Sequence, residues 1–331
     1  MGQILSSCKQ VLSSAAQQLI NTLTFRPNGT IDRRLFNFLH PRVPATPTAL
    51  LDGVESHDII VDPSRDLWFR LFVPVRTATT KSLPVLVYFH GGGFAVGSPD
   101  TKLFDIFARK LARDLPAVVI SVNYRLAPEN KFPAQFEDGF HVLEYIDRNV
   151  NSADWVPHAA DPMRCFLAGD SAGGNLAHHV AVQSCKTKLK EITISGVISI
   201  QPFFGGMDRT ESEIRLRSNP VLTPEAADWC WRAFLPVGSD RDHPAVNVFG
   251  PRATEGYLSA LDYPPTMLVI GGLDPLQDWQ RRFRDGLARA GKAVRLVEYP
   301  DMMHGFYVMD PSLAEIEMLV REAREFIAQY T

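Results

Sequence analysis

The chain has 331 residues, 45% hydrophobic and 21% charged, with a formal net charge of -3. A chain of this size and balance buries about three quarters of its unfolded surface, so a disordered, collagenous or disulfide-stapled chain is excluded, and the missing basic excess argues against nucleic acid as a partner. No apolar run approaches the ~18 residues of a membrane span, the N-terminus lacks a secretory apolar core, and Cys8, Cys165, Cys185 and Cys230 show neither metal-ligand nor disulfide-framework spacing, which fits a reducing, cytoplasmic compartment.

In chain order, Ile4, Cys8, Val11, Ala15, Leu19 and Leu23 recur at helical spacing, and the pattern stops at the turn signal Pro27-Asn28-Gly29. With the prolines at 41, 44 and 47, residues 1–50 read as an N-terminal lid segment outside the sheet, and 51–331 as the main domain. Ile59 to Val61 and Trp68 to Val73 predict two strands joined by a turn at Asp62-Pro63-Ser64. Short apolar runs then alternate with helical patterns. Strands are expected at Val85 to Phe89, Val118 to Val122, Cys165 to Ala168, Val197 to Ile200, Met267 to Ile270 and Val294 to Val297. Helices are expected at Phe104 to Leu111, Phe140 to Ile146, from Ala172, and at about 276–290 and 312–329. Apolar strands alternating with helices predict an α/β fold, a mostly parallel sheet covered on both faces. Residues 203–262 break the rhythm and predict a cap insertion.

Gly169-Asp170-Ser171-Ala172-Gly173 matches G-x-S-x-G, with an apolar strand before it and a helix after. A nucleophilic serine needs a sharp turn at the strand's end, where only small flanking residues fit, and the following helix aims its positive end at developing negative charge. His90-Gly91-Gly92-Gly93-Phe94 follows the strand at 85–89. Such glycines leave backbone amides free to converge on an oxyanion. Gly91, Gly92, Gly93 and Ala172 are the expected oxyanion hole, with Gly91 mainly allowing the turn. A phosphate cradle would want Lys-Ser/Thr after the glycines, and none is there. His90 reads as a structural anchor. A serine hydroxyl also needs a base. His304, beyond the last strand, and Asp274, beyond the strand at 267–270, complete the chain order Ser, Asp, His at the strand ends where parallel sheets build sites. Asp278, one helical turn on, is the rival acid. The loop Tyr124 to Glu129 reads as structural, pinned by an arginine–carboxylate pair.

HGGGF, YRLAPE, GDSAGG, the Asp274-Pro275-Leu276 aspartate and the His304-Gly305-Phe306 histidine stand in the order of the hormone-sensitive-lipase family of α/β-hydrolases, which the chain resembles over about residues 57–331. More narrowly it resembles plant carboxylesterases near the gibberellin-receptor branch, and residues 26–45, 203–213 and 231–236 resemble that branch's lid and cap. The resemblance implies that the receptors lack the triad histidine, carry a serine at the third glycine of the loop and a second serine after the nucleophile. Here those positions hold His304, Gly93 and Ala172. Where the receptors place Asp, Arg and Tyr near the ligand, the matching residues are Ala226, Ala227 and Cys230; Phe104 matches a tyrosine, and Tyr307 keeps a hydroxyl. Phe94, Phe104 and Tyr307 are the expected substrate contacts. The resemblance implies a serine carboxylesterase acting on small-molecule esters through an acyl-enzyme, with no cofactor and no metal. A receptor-like binding protein for a small terpenoid ligand is the alternative, and a lyase or acyl-transfer use of the site is a third.

Met1-Gly2-Gln3-Ile4-Leu5-Ser6 matches the N-myristoylation pattern, and Cys8 offers a site for a second acyl chain. Peripheral membrane association through this N-terminus is therefore expected for part of the protein, because one chain alone binds membranes only marginally.

Overall fold

Eight strands form one sheet in the order β1-β2-β4-β3-β5-β6-β7-β8: β1 Val54–Asp62, β2 Leu67–Pro74, β3 Leu83–Phe89, β4 Val118–Asn123, β5 Ala160–Asp170, β6 Ile194–Ile200, β7 Thr266–Leu273 and β8 Val294–Met303. The pairs β1/β2 and β2/β4 are antiparallel, and every other pair is parallel. The computed structural model describes residues 23–47, 52–75, 82–150, 160–254, 256, 258–310 and 312–331. Around the sheet lie α1 Arg34–Leu39, α2 Lys102–Asp114, α3 Ala134–Asn149, α4 Ala172–Lys186, α5 Glu211–Arg215, α6 Pro224–Phe234, α7 Gln277–Arg289, α8 Phe306–Met309 and α9 Ala314–Gln329.

The unbroken apolar run of β3 is explained by its place: all seven residues are buried, because a central parallel strand meets helices on both faces. Successive side chains go to opposite cores. Val85, Val87 and Phe89 join the layer with Val142 of α3 and Leu176 of α4. Leu86 and Tyr88 join the layer with Leu111 of α2 and Leu319 of α9. Each such side chain contributes about 1.5–3 kcal/mol when fully buried.

Every predicted strand is present, most of them extended by a few residues. The turn between β1 and β2 is a short 3-10 helix, Pro63–Arg65, whose first amides fold back on Asp62: its Oδ1 accepts from Ser64 N at 3.0 Å. Helices α1, α5, α6 and α8 are absent from the sequence reading. Helix α5 opens with a capping box, Thr210 and Glu213. Helix α6 has Thr223 as N-cap and Pro224 at its first position, and Lys131 Nζ closes its other end by donating to the carbonyls of Arg232, Ala233 and Leu235. Both lie in the 203–262 stretch between β6 and β7. Of the helix predicted over 4–23, residues 4–22 with Cys8, and Gly2 before it, lie outside the described residues; Leu23, its last apolar position, is helical and half-exposed. Among the described residues no helix is long and apolar enough to cross a membrane.

Candidate active site

Ser171 sits between β5 and α4 with φ 52° and ψ -117°. That backbone is strained for a residue with a side chain. Its neighbours explain why it is tolerated: a Cβ on Gly169 would collide with the Gly173 carbonyl, and a Cβ on Gly173 with the Phe89 carbonyl. The turn therefore fits only with glycine on both sides. It lifts the Ser171 hydroxyl off the sheet's edge while the first turn of α4 points at it.

The Oγ of Ser171 lies 2.9 Å from Nε2 of His304, and Nδ1 of His304 lies 2.8 Å from Oδ2 of Asp274. All three side chains are buried. Asp274 is held in turn by Leu276 N, donating to Oδ1 at 2.9 Å, and by Gln280 Nε2, donating to Oδ2 at 2.9 Å. Burial pulls the His304 imidazole toward the neutral form, but the charge and hydrogen bond of Asp274, with the charge of Asp170, outweigh it and raise its pKa. The loop carrying His304 is clamped by Gln201, just past β6: its Oε1 accepts from Gly305 N at 2.8 Å, and its Nε2 donates to the Met303 carbonyl at 3.1 Å.

Ser171 and His304 open into a cavity of about 460 Å³. Gly92 and Gly93 line it, both with positive φ. The N–H groups of Gly92, Gly93 and Ala172 have no acceptor among the described residues. Val221, Leu222, Ala226 and Cys230 from the 203–262 stretch form one wall. Thr24, Phe25, Phe36 and His40 from the N-terminal segment form another. That segment is pinned across the site: Arg33 donates to the carbonyls of Ala95 and Ala127, each at 2.7 Å, and pairs with Glu129. Trp229 Nε1 also donates to the Arg26 carbonyl at 2.7 Å, joining α6 to the same segment.

Residues 86–308 match the family profile described as the alpha/beta hydrolase fold. The chain belongs to this family. Gibberellin receptor GID1C of Arabidopsis thaliana is 40% identical over 94% of this chain and 91% of its own length. Carboxylesterase 20 of Arabidopsis thaliana is 38% identical over 86% of this chain and 89% of its own. Among solved structures, a hyperthermophilic esterase from the archaeon Pyrobaculum calidifontis aligns with a TM-score of 0.74 at 28% identity, covering 96% of each chain. The resemblance to plant carboxylesterases close to the receptor branch is thus borne out.

In this α/β-hydrolase the structure joins Ser171 to His304 and His304 to Asp274, with Ala172 next to the serine at the start of α4, and it places Gly92, Gly93, Phe104 and Tyr307 on the cavity wall. Two expectations need correction. Gly91 does not line the cavity, and its N–H is engaged by Asp170 Oδ1 at 2.9 Å, so it anchors the loop and cannot serve an oxyanion. Phe94 points into the core, fully buried and stacked on Phe234 with centroids 4.1 Å apart. Asp278 is excluded as the acid on His304 by its own bond: its Oδ2 accepts from Ser212 N at 2.8 Å, at the start of α5. His90 is the expected anchor, stacked on Tyr124 at 4.4 Å and pushed down to about 4 by burial, so it is a neutral ring at physiological pH. The loop at 124–129 is pinned by Arg125, whose Nε donates to Asp138 Oδ2 at 2.8 Å. Sequence reasoning missed Asp170, Gln201, Gln280 and Arg33. The signal for the first two was available: a polar residue ending an apolar strand at the sheet's C-terminal edge.

Proposed function

We propose that this α/β-hydrolase is a serine carboxylesterase of small-molecule carboxylic esters, with Ser171 as nucleophile, His304 as general base and acid, and Asp274 as the acid that orients it. The observation that carries this reading is the continuous hydrogen-bond chain Ser171–His304–Asp274 ending in a cavity beside two positive-φ glycines. Ser171 Oγ attacks the ester carbonyl carbon while His304 Nε2 takes its proton. The carbonyl oxygen becomes an oxyanion, met by the amides of Gly92, Gly93 and Ala172. As the intermediate collapses, the C–O bond to the alcohol breaks and His304 returns its proton to the leaving oxygen. Water, deprotonated by His304, then attacks the acyl carbon, the bond to Ser171 Oγ breaks, and His304 returns the proton to Oγ as the acid leaves. Asp274 keeps Nδ1 protonated and steadies the imidazolium.

A cavity of about 460 Å³ falls in the range of drug-sized ligands. The N-terminal segment acts as a lid, and the 203–262 stretch as a cap over the same cavity. The identity to gibberellin receptors favours a second reading, a binding protein for a small terpenoid ligand with little hydrolysis. It ranks lower because His304 stands engaged with both partners, and because Ala226 and Cys230 offer no strong polar contact where the resemblance expects one. A fluorophosphonate label followed by turnover of short 4-nitrophenyl esters separates the two. Labelling at Ser171 with turnover that is lost in Ser171→Ala supports the esterase. An unlabelled protein without turnover overturns it.

A further inference from the structure

The cavity has an asymmetry of charge. Among the described residues lining it, no lysine or arginine occurs. His40, the one histidine there besides His304, is pulled toward its neutral form by burial. Asp170 lies on the cavity floor next to the nucleophile, only 3% exposed. Its carboxylate is held by three donors: Tyr88 Oη at 2.5 Å and Gly91 N at 2.9 Å on Oδ1, and Tyr307 Oη at 3.2 Å on Oδ2. Burial pushes Asp170 up to about 6, and these bonds, together with the charge of His304, limit the rise, so the group is ionised in the weakly alkaline range where esterases are assayed. Among the described residues no lysine or arginine of the cavity neutralises it, and five aromatic side chains, Phe25, Phe36, Phe104, Phe203 and Tyr307, make up much of the remaining wall.

A substrate entering such a space sheds its water. A carboxylate that does so without a cationic partner loses several kcal/mol, and it also meets the like charge of Asp170 in a poorly screened interior. An ammonium group meets an opposite charge, and aromatic ring faces attract it. We propose that Asp170 sets the charge selectivity of the site, so that esters bearing a free carboxylate are rejected while ammonium-bearing isosteres are accepted. The proposal rests on the esterase reading and narrows its substrate class to bulky esters that are neutral or cationic away from the reacting carbonyl. In this role Asp170 is a specificity-determining residue, distinct from the Ser171–His304–Asp274 chain.

The test compares three 4-nitrophenyl esters at pH 8: hexanoate, the half-ester of adipic acid, and 6-trimethylammoniohexanoate. A cavity that is merely apolar penalises both charges alike. With Asp170 in control, the ammonium ester stays within about tenfold of hexanoate in kcat/KM while the adipate half-ester falls ~100-fold or more below it. Asp170→Asn, if it folds, narrows the gap between the two charged esters by about tenfold or more. Ala226→Lys, which sets a cation in the cavity wall without touching Asp170, raises the adipate half-ester relative to the ammonium ester. Equal rates for the two charged esters in the wild type, or a ratio unmoved by a folded Asp170→Asn or by Ala226→Lys, overturn the proposal and leave the esterase reading standing. If hexanoate itself is not hydrolysed, the esterase reading fails. Calorimetric binding of the three corresponding 4-nitroanilides then decides the charge preference: tighter binding of the ammonium anilide than of the carboxylate anilide supports it, and equal or reversed affinities overturn it.

Discussion

Asp274 and Asp278 are one turn of chain apart, and their hydrogen-bond partners separate their roles. Asp274 faces Nδ1 of His304, whereas Asp278 faces the start of α5. Asp274→Asn is therefore expected to lower kcat by ~10⁴ through loss of the correct tautomer. Asp278→Asn should cost activity less than about tenfold, with its effect on stability through a lost helix-start contact. The pH profile tests the same assignment. Only neutral His304 accepts a proton, and its pKa is raised above 6.5. Activity should thus fall as the pH drops through a value above 6.5, and removing the Asp274 charge should move that limb to lower pH. A limb that stays in place in Asp274→Asn counts against the pairing. At Gly93, φ is +61° and an added Cβ would stand 2.5 Å from Cys230 Sγ. Gly93→Ser should then lower kcat/KM by ~10²-fold by displacing an oxyanion amide, and Cys230→Ala in the same chain should recover part of the loss. Unchanged kcat/KM in Gly93→Ser would place Gly93 outside the reacting site.

Among the elements, the N-terminal segment is the one whose role depends most on a few contacts. Phe25 and Phe36 face the cavity, but Phe38, two residues further on, is 79% exposed. Helix α1 is only six residues long and cannot bury both faces against the site. Arg33 holds the segment instead, through two backbone carbonyls and Glu129, and so ties it to the loops carrying Phe94 and Pro128. The bonds to the two carbonyls contribute about 1.5–3 kcal/mol each, whereas the half-exposed pair with Glu129 is screened by solvent and adds less than about 1 kcal/mol. Arg33→Ala is expected to raise KM for 4-nitrophenyl decanoate by about tenfold while leaving the acetate nearly unchanged, because only a long acyl chain reaches the wall that Phe25 and Phe36 form. Equal losses on both esters, tracking a lower melting temperature, would reduce the segment to a stabilising strap.

At the scale of the whole molecule, the remaining question is where the protein works. The myristoylation pattern at Gly2 and the candidate second acyl site at Cys8 lie outside the described residues. Fractionation of cells able to acylate should find most of the protein in the cytosol, with a membrane-bound part that is lost in Gly2→Ala and reduced in Cys8→Ser. Identical soluble distributions for all three proteins would remove the anchor.

Much of this molecule was legible without coordinates, for a local reason. An apolar strand, a glycine-flanked serine and a helix are consecutive in the chain, so Ser171 announces itself, and the alternation that builds β3 to β8 is read the same way. The order Ser171, Asp274, His304 was also visible, because strand ends are local features. What needed the tertiary structure were contacts made across long stretches of sequence. Asp170 binds Gly91 from 79 residues away, which engages an amide that the sequence assigned to an oxyanion hole. Phe94 turns inward because Phe234, at the end of α6, takes its ring. The distinction between Asp274 and Asp278 rests on which one a loop thirty residues later meets. Spacing shows which side chains can share a face; only packing decides which polar group is already spoken for, since a buried donor or acceptor takes whatever partner the folded chain brings within about 3 Å.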